Sequence, residues 1–209
     1  VGSLLKQRPQ TVAVAESSAG GLISASLLAV PGASAYFLGG SVVYTRVAQR
    51  ALLGVPDEAM ANLRASTEEY ALLNARTVRE SLGTTWGLSE TGASGPTGNR
   101  YGDDAGHACI AAAGPIEASI TVETGVNNRE QNMWTFARAA LDLLEESQSR
   151  RPTMAEIAEL VGVPAKDLHR IFPDDRSVLV AAAEQALVWL IDSSVKAVVQ
   201  VDPDDSVAQ

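Results

Sequence analysis

Short apolar, β-prone segments alternate with helical ones along most of this 209-residue chain, and that order restricts the fold more than any other feature. The first unit runs from a strand at Thr11–Ala15, through Glu16-Ser17 and Gly20-Gly21, into a helix over about Leu22–Ala29. Further strands are predicted at Ser41–Thr45, Thr85–Glu90, Ala108–Ala113 and Ala118–Glu123. Further helices are predicted at Val47–Leu53, Ser66–Leu82 and Glu130–Glu146. Alternation of this kind predicts a layered α/β domain.

The pattern changes near the polar segment Ser147–Pro152, beyond which short helices follow one another without strands. We therefore predict two parts: an α/β domain over residues 1–148 and a small all-helical appendage over residues 149–209.

A glycine-rich segment, Thr91–His107, holds small hydroxyls, an amide, Arg and His among its glycines. Glycines let backbone N–H groups converge on an anion or a carbonyl oxygen, so the segment predicts a site for a polar ligand; a long solvated connection is the alternative. Ser17 and Thr91 both stand where a strand is predicted to end, and α/β domains bind ligands at the carboxyl ends of their strands.

Composition limits the class of protein. With 46% apolar and 20% charged residues, the chain is typical of a globular protein. No apolar run is long enough to span a bilayer and no leader is evident, so we expect a cytoplasmic protein without a membrane partner. The net charge of −9 disfavours non-specific nucleic-acid binding, and the single cysteine, Cys109, is expected to be a buried, inert thiol.

Four spaced motifs resemble the CinA C-terminal domain family: Ala15–Gly21, Val30–Phe37, Gly40–Thr45 and Thr91–Pro96, in that order, within about residues 4–147. The resemblance implies a three-layer α/β/α domain. It also implies an amidohydrolase that converts nicotinamide mononucleotide to nicotinate mononucleotide and ammonia, with neither a metal nor a cofactor.

Amide hydrolysis needs a nucleophile, donors for the oxyanion and an acid for the leaving ammonia. The resemblance makes Ser17 the candidate nucleophile, with a helix N-cap as the alternative role. Glu16 is predicted to orient the site or accept a proton, or else to bind a backbone amide, and Tyr44 to stack on the base or donate a hydrogen bond. The predicted substrate-binding residues are Gly20, Gly21, Thr45, Thr91, Gly92, Ser94, Gly95, Asn99, Arg100 and Arg129.

The chain departs from the family pattern at several of these positions. Ser18 and Ala19 stand where family members usually have Cys and Thr, and Arg46 and Gln49 stand where the pattern has Asn and Lys. A desolvated Lys can act as the general base for Ser17, whereas Gln cannot take a proton at neutral pH. His107 is the candidate replacement base, because His titrates near neutrality; an idle His at a strand start is the alternative.

The segment Thr153–Pro173 resembles the helix-turn-helix of TetR-type regulators, in which Lys166, His169 and Arg170 would contact DNA. Apolar residues such as Val161, Val163 and Ile171 fall where its helices would pack together. Residues 150–176 hold five basic and five acidic side chains, so the segment has no net charge to favour phosphate contacts. The alternative is an appendage that packs or dimerises through apolar side chains that include Leu179, Ala183, Leu187, Trp189 and Leu190.

Three functions follow, in order of preference. The first is an amidohydrolase of nicotinamide mononucleotide or a related pyridine nucleotide. The second is a non-catalytic nucleotide-binding or sensor module, and the third a transcriptional regulator that uses the helix-turn-helix. The expected partners are a small phosphorylated nucleotide and further copies of the chain.

Overall fold

A mixed five-stranded sheet organises residues 1–150 in the computed structural model, which describes residues 1–151 and 153–181. The strands, in the spatial order β2-β1-β3-β4-β5, are β1 Val12–Glu16, β2 Phe37–Val42, β3 Trp86–Ala93, β4 His107–Ala113 and β5 Glu117–Glu123. Strands β1 and β4 are buried along their whole length, as are all residues of β3 but Gly92, which explains their continuous apolar and small-residue composition.

Strand register brings two chain segments that are distant in sequence to the same edge of the sheet. Strand β1 pairs in parallel with β2 and β3, and Ala15 lies opposite Ser89. Strands β3, β4 and β5 pair antiparallel in sequence order. The turn that begins at Ser17 therefore leaves the sheet beside Thr91.

Helices cover both faces of the sheet. They are α1 Gly2–Gln7, α2 Leu22–Leu28, α3 Arg46–Ala48, α4 Glu68–Leu82 and α5 Arg129–Ser149. The main apolar core lies between the sheet and α1, α2 and α5, and includes Val14, Leu88, Ile110 and Phe136. Helix α4 covers the other face, over Ala13, Ala111 and their neighbours.

The predicted α/β fold class is confirmed, but several boundaries differ. Strand β2 spans Phe37–Val42 rather than Ser41–Thr45, because its two glycines lie within the strand and pair with β1. Strand β3 continues three residues past Glu90, since it pairs with β4 as far as Ala93. Only Arg46–Ala48 of the next helix is α-helical, and Gln49–Leu53 continue it as a π-helical turn.

The chain divides after Arg150, and the second unit is described by itself. It contains α6 Met154–Val161 and α7 Ala165–Ile171, separated by Gly162 in the left-handed region, and residues 175–181 are also helical. Thr153 and Glu156 form a reciprocal capping box at the start of α6.

The packing predicted for this second unit is only partly present. Ala158, also predicted to pack between the helices, is buried, but Val161, Val163 and Ile171 are exposed, so these three do not form the buried contact that was predicted. The apolar positions Ala183, Leu187, Trp189 and Leu190 lie outside the described residues. Nowhere in residues 1–151 and 153–181 does a helix combine the length and apolar character that a membrane span requires.

Candidate functional site

A cavity of about 660 Å³ opens at the carboxyl ends of β1 and β3. Its lining combines apolar side chains with polar, aromatic and basic ones. It comes from four separate segments: Ser17; Val43–Val47; Met60 with Leu63–Ser66 and Tyr70; and Thr91, Gly92 and Asn99–Tyr101. Seven of the predicted catalytic and substrate-binding residues line it: Ser17, Tyr44, Thr45, Thr91, Gly92, Asn99 and Arg100.

The Ser17 hydroxyl faces this cavity without a hydrogen-bond partner among the described residues. It does not cap the following helix, because the N-cap of α2 is Gly21, which adopts the left-handed conformation and offers no side chain. The N-cap alternative for Ser17 is therefore wrong, and its oxygen is left for a ligand.

Glu90, which the sequence analysis did not single out, holds the Ser17 turn from behind. Its carboxylate is fully buried and accepts the backbone N–H of Ser17 at 3.0 Å, that of Ala19 at 2.8 Å, and the Ser18 hydroxyl. Burial raises the pKa of Glu90 above its usual range, against the lowering effect of these three donors. The available signal was an acid on the same face of β3 as the core residue Leu88.

Glu16 is bound to the next helix and does not line the cavity. One of its oxygens accepts the N–H groups of Gly21 and Ile23, and the other accepts the N–H and hydroxyl of Ser24. A fully buried carboxylate at a helix N-terminus satisfies donors that the helix itself cannot. The structure thus gives Glu16 the backbone-binding role rather than a place at the reacting atoms.

Gly20 and Gly21 shape the turn and do not line the cavity. Their φ values of 67° and 101° lie in the left-handed region. A side chain on Gly20 would also meet the Met133 side chain of α5 at 2.8 Å. Both glycines therefore allow the tight passage from β1 into α2.

Arg129 connects two segments beside the cavity. Its guanidinium donates to the carbonyl oxygen of Gly95 at 2.8 Å and to the Tyr44 hydroxyl at 3.2 Å. Arg129 and Gly95 do not line the cavity. Ser94, the residue before Gly95, is buried, and its hydroxyl has no hydrogen-bond partner among the described residues. Thr45 lines the cavity and caps α3 by accepting Ala48 N–H at 3.1 Å.

Ser66 joins three parts of the site. It holds a left-handed backbone, with φ of 60°, that a non-glycine residue seldom adopts. Its N–H donates to the Thr91 hydroxyl oxygen at 3.3 Å, its own hydroxyl accepts from Asn99 at 3.2 Å, and its carbonyl oxygen lies 3.1 Å from His107 Nε2. The strained conformation is therefore fixed from three sides.

His107 lies at the start of β4, outside the cavity lining, and both of its ring nitrogens face acceptors. Nδ1 is 2.5 Å from a Glu123 oxygen, and Nε2 faces the Ser66 carbonyl. Burial alone would lower the pKa of His107, but these two contacts and the charges of Glu123 and Asp103 raise it above its usual value of about 6.5. Both acceptors call for a donated proton, so this environment favours the protonated ring, and His107 does not line the cavity where a base would be needed.

Three arginines line the cavity, and two of them are paired with acids. Arg46 binds Asp57 at 2.7 Å, and Arg64 binds Asp103 through two contacts of 2.6 and 3.0 Å. Arg100 donates to the Tyr101 hydroxyl and stacks over its ring, but among the described residues it has no carboxylate partner. Of the three, Arg100 therefore has the charge most available to an anion.

Gln49, at the position where the family pattern has Lys, is fully buried outside the cavity lining. Its oxygen accepts from Arg46 at 2.5 Å, and its amide nitrogen donates to Asn74 at 2.5 Å. The two departures at positions 46 and 49 are therefore coupled, because the Arg46 guanidinium lies where it would repel a lysine.

The second unit holds the residues predicted to contact DNA. Lys166, His169 and Arg170 are exposed on α7, and His169 Nδ1 lies 2.9 Å from the carbonyl oxygen of Ala165 on the same helix. Within the described ranges, no group of three His, Cys, Asp or Glu side chains is placed to hold a metal ion.

The mixed sheet, the helices on both its faces and the cavity at the carboxyl edge define an α/β domain of the type seen in CinA-superfamily structures. The CinA C-terminal domain model matches residues 1–148, and the chain belongs to that family.

Relatives of known sequence and structure agree. A CinA-like protein of Myxococcus xanthus is 44% identical over 143 residues, and one of Salinibacter ruber 39% identical over 142; each alignment covers 68% of this chain and 34% of the relative. The chain thus spans about a third of the length of these relatives. The competence/damage inducible protein of Agrobacterium tumefaciens superposes with a TM-score of 0.66 at 26% identity, over 71% of this chain and 91% of that one.

Proposed function

We propose that residues 1–150 form an amidohydrolase that deamidates nicotinamide mononucleotide or a related pyridine nucleotide, with Ser17 as the nucleophile. The observation that supports it best is the unpaired Ser17 hydroxyl in a cavity that also contains Thr91, Arg100 and three tyrosines. A pyridine nucleotide presents a carboxamide, an aromatic ring and a phosphate, and the lining has a group suited to each.

The reaction proceeds in two balanced steps. The Ser17 oxygen bonds to the carboxamide carbon and the C–N bond breaks. The proton from the Ser17 hydroxyl is transferred to the departing nitrogen, which leaves as ammonia. Water then adds to the ester, which releases the carboxylic acid and returns a proton to Ser17. The Thr91 hydroxyl accepts from Ser66 N–H, which leaves its own proton to donate to the substrate.

The phosphate is assigned to the side of the cavity formed by Asn99, Arg100 and Tyr101. Arg100 can bind it through two parallel N–H groups, which a carboxylate partner would otherwise occupy. Tyr44 and Tyr70 line the same cavity and offer aromatic faces to the pyridine ring.

Ammonia release from nicotinamide mononucleotide by the purified chain is the direct test. Ser17→Ala is expected to abolish it. Ser26→Ala is the matched control, because that hydroxyl donates only to Leu22 O within α2. Release by Ser17→Ala at the native rate would exclude Ser17 as the nucleophile.

Because Gln49 stands where the family pattern has Lys, we expect slow turnover, and restoring the Lys should raise the rate. Gln49→Lys alone would place an ammonium against the Arg46 guanidinium, so we expect the double change Arg46→Asn/Gln49→Lys to raise the rate more than either single change. A double variant no faster than the native chain would show that the missing Lys does not limit the reaction.

A second candidate, a non-catalytic nucleotide-binding module, is favoured by two observations: Gln49 cannot accept a proton, and both ring nitrogens of His107 face acceptors outside the cavity. This function predicts thermal stabilisation by the nucleotide without ammonia release, lost in Arg100→Ala. Ammonia release that depends on Ser17 would exclude it.

The helical second unit supports a third candidate, sequence-selective DNA binding through α7, because Lys166, His169 and Arg170 are exposed on that helix. Binding of DNA by the whole chain should weaken with salt and in Arg170→Ala. If no duplex is bound at low salt, this function is excluded.

A further inference from the structure

All but one of the backbone N–H groups from Ser17 to Ser24 donate a hydrogen bond to an acceptor within the protein. Glu90 takes the N–H of Ser17 and of Ala19, and the Ser17 carbonyl takes that of Gly20. Glu16 takes the N–H groups of Gly21, Ile23 and Ser24, and the carbonyl of Ala19 takes that of Leu22.

The exception is the N–H of Ser18, which has no partner among the described residues although Ser18 is only 3% exposed. Buried backbone N–H groups without a partner are rare in folded proteins, because each costs free energy comparable to a lost hydrogen bond. This one belongs to the residue directly after the proposed nucleophile.

We infer that Glu90 is a positioning residue for the Ser17 reaction. The N–H of Ser18, which Glu90 does not bind, donates a hydrogen bond to the oxyanion that forms on the substrate. This inference rests on the proposed function. By binding the N–H groups of Ser17 and Ala19, Glu90 fixes the peptide planes of the turn beside the cavity-lining Ser17 and leaves Ser18 N–H as the one backbone donor of that turn without a partner among the described residues.

Ser18 contributes to the same arrangement through its side chain. Its hydroxyl donates to the second oxygen of Glu90, so both carboxylate oxygens are held. A thiol, which the family pattern places at this position, is a weaker donor. Glu90 itself does not line the cavity, so its loss should affect the reacting geometry and leave substrate binding nearly unchanged.

The experiment measures covalent labelling of Ser17 by a fluorophosphonate, detected by mass spectrometry, in parallel with ammonia release. The variants are Glu90→Gln, Ser18→Ala and the control Glu117→Gln, which alters a carboxylate on β5 that pairs with Arg76. We expect Glu90→Gln to slow labelling about tenfold or more, and to lower kcat for ammonia release while KM stays nearly constant. The control should label at the native rate.

The pH profile separates this role from a purely structural one. The three donors need an ionised Glu90, whose pKa is raised first by burial and further by the charge of Glu16, the one charged group that affects it within the described residues. Native labelling should therefore fall as the pH drops through this raised pKa, and Glu90→Gln should lack that limb.

Each outcome bears on the inference. Equal labelling of native protein and folded Glu90→Gln at every pH would overturn it. Native labelling without ammonia release would overturn the proposed function alone, because labelling still reports on Glu90. Absence of native labelling would overturn both. If thermal melting shows that Glu90→Gln is unfolded, Ser18→Ala, which keeps the backbone contacts, should still label about threefold more slowly, and no change there would overturn the inference.

Discussion

The two sides of the cavity are built by different means. The strand wall, which we define as Ser17, Thr91 and Gly92, is fixed by sheet register and by the buried carboxylates of Glu16 and Glu90. The loop wall, defined as Arg64 with Asn99–Tyr101 of the lining and the adjoining Gly102 and Asp103, is held by charges nearer the surface. The most direct is the Arg64–Asp103 pair, whose side chains are 43% and 13% exposed.

Burial decides what a substitution on each wall should cost. Buried hydrogen bonds to a carboxylate lie in a medium that screens them little, so their loss destabilises the whole domain. Exposed ion pairs are screened by water and salt. Changes to the buried groups that fix the strand wall should therefore lower stability, and changes to the loop wall should act mainly on ligand binding.

Gly92→Ala should have the largest effect, a loss of about 3 kcal/mol or more in the free energy of unfolding. A methyl group at Gly92 would overlap the His107 carbonyl oxygen and lie 2.7 Å from Ala108 Cα, and backbone atoms of a paired strand cannot move aside. Gly102→Ala is the control from the loop wall: its φ is 96° but nothing lies within 4 Å, so we expect about 1 kcal/mol. Urea denaturation compares the two, and an equal loss would contradict the distinction between the walls.

The same distinction explains which features the sequence could predict. The strand wall was largely predictable, because Ser17 and Thr91 follow apolar runs and such runs meet at one edge of a sheet. Arg64 and Tyr70 in the lining could not be anticipated, since their place depends on the path of the chain between α3 and α4. His107 was predicted as a base from its residue type, but its protonation depends on Glu123, sixteen residues away and brought close only by strand pairing.

Glu16→Gln should cost about 2 kcal/mol, the second largest effect. Each Glu16 oxygen accepts two donors, so an amide NH₂ in either orientation would face donors from α2 that it cannot satisfy. The matched control is Glu80→Gln, which changes an exposed acid on α4. Thermal melting at neutral pH measures both, and a Glu16→Gln variant as stable as the control would contradict the capping role.

His107→Gln should cost about 1 kcal/mol, and only in a defined range of pH. The folded pKa of His107 is raised, against burial, by its contacts with Glu123 and Ser66, so its contribution is complete below the unfolded value of about 6.5 and disappears as the pH rises through the folded value.

The charged groups near the ring are Glu123 and Asp103, with Arg64 behind Asp103, and the pKa of Asp103 is lowered mainly by its hydrogen bond to Arg64. Asp103 therefore stays ionised across the range used. Denaturation of native protein and His107→Gln at pH values on either side of the folded pKa should show a difference only on the acid side. A difference independent of pH would show that His107 is not held as a cation.

The smallest effect is expected for the Arg64–Asp103 pair. A double-mutant cycle with Arg64→Ala and Asp103→Ala should give a coupling free energy below about 1 kcal/mol, reduced further by salt, because the Arg64 side chain is 43% exposed. The same two variants should weaken nucleotide binding by more than they lower stability, since Asp103 also accepts from Asn99 in the cavity lining. Calorimetric titration measures that binding. A coupling free energy of several kcal/mol would mean that the loop wall contributes to stability as strongly as the strand wall. The proposed difference, in which one wall governs stability and the other ligand binding, would then be wrong.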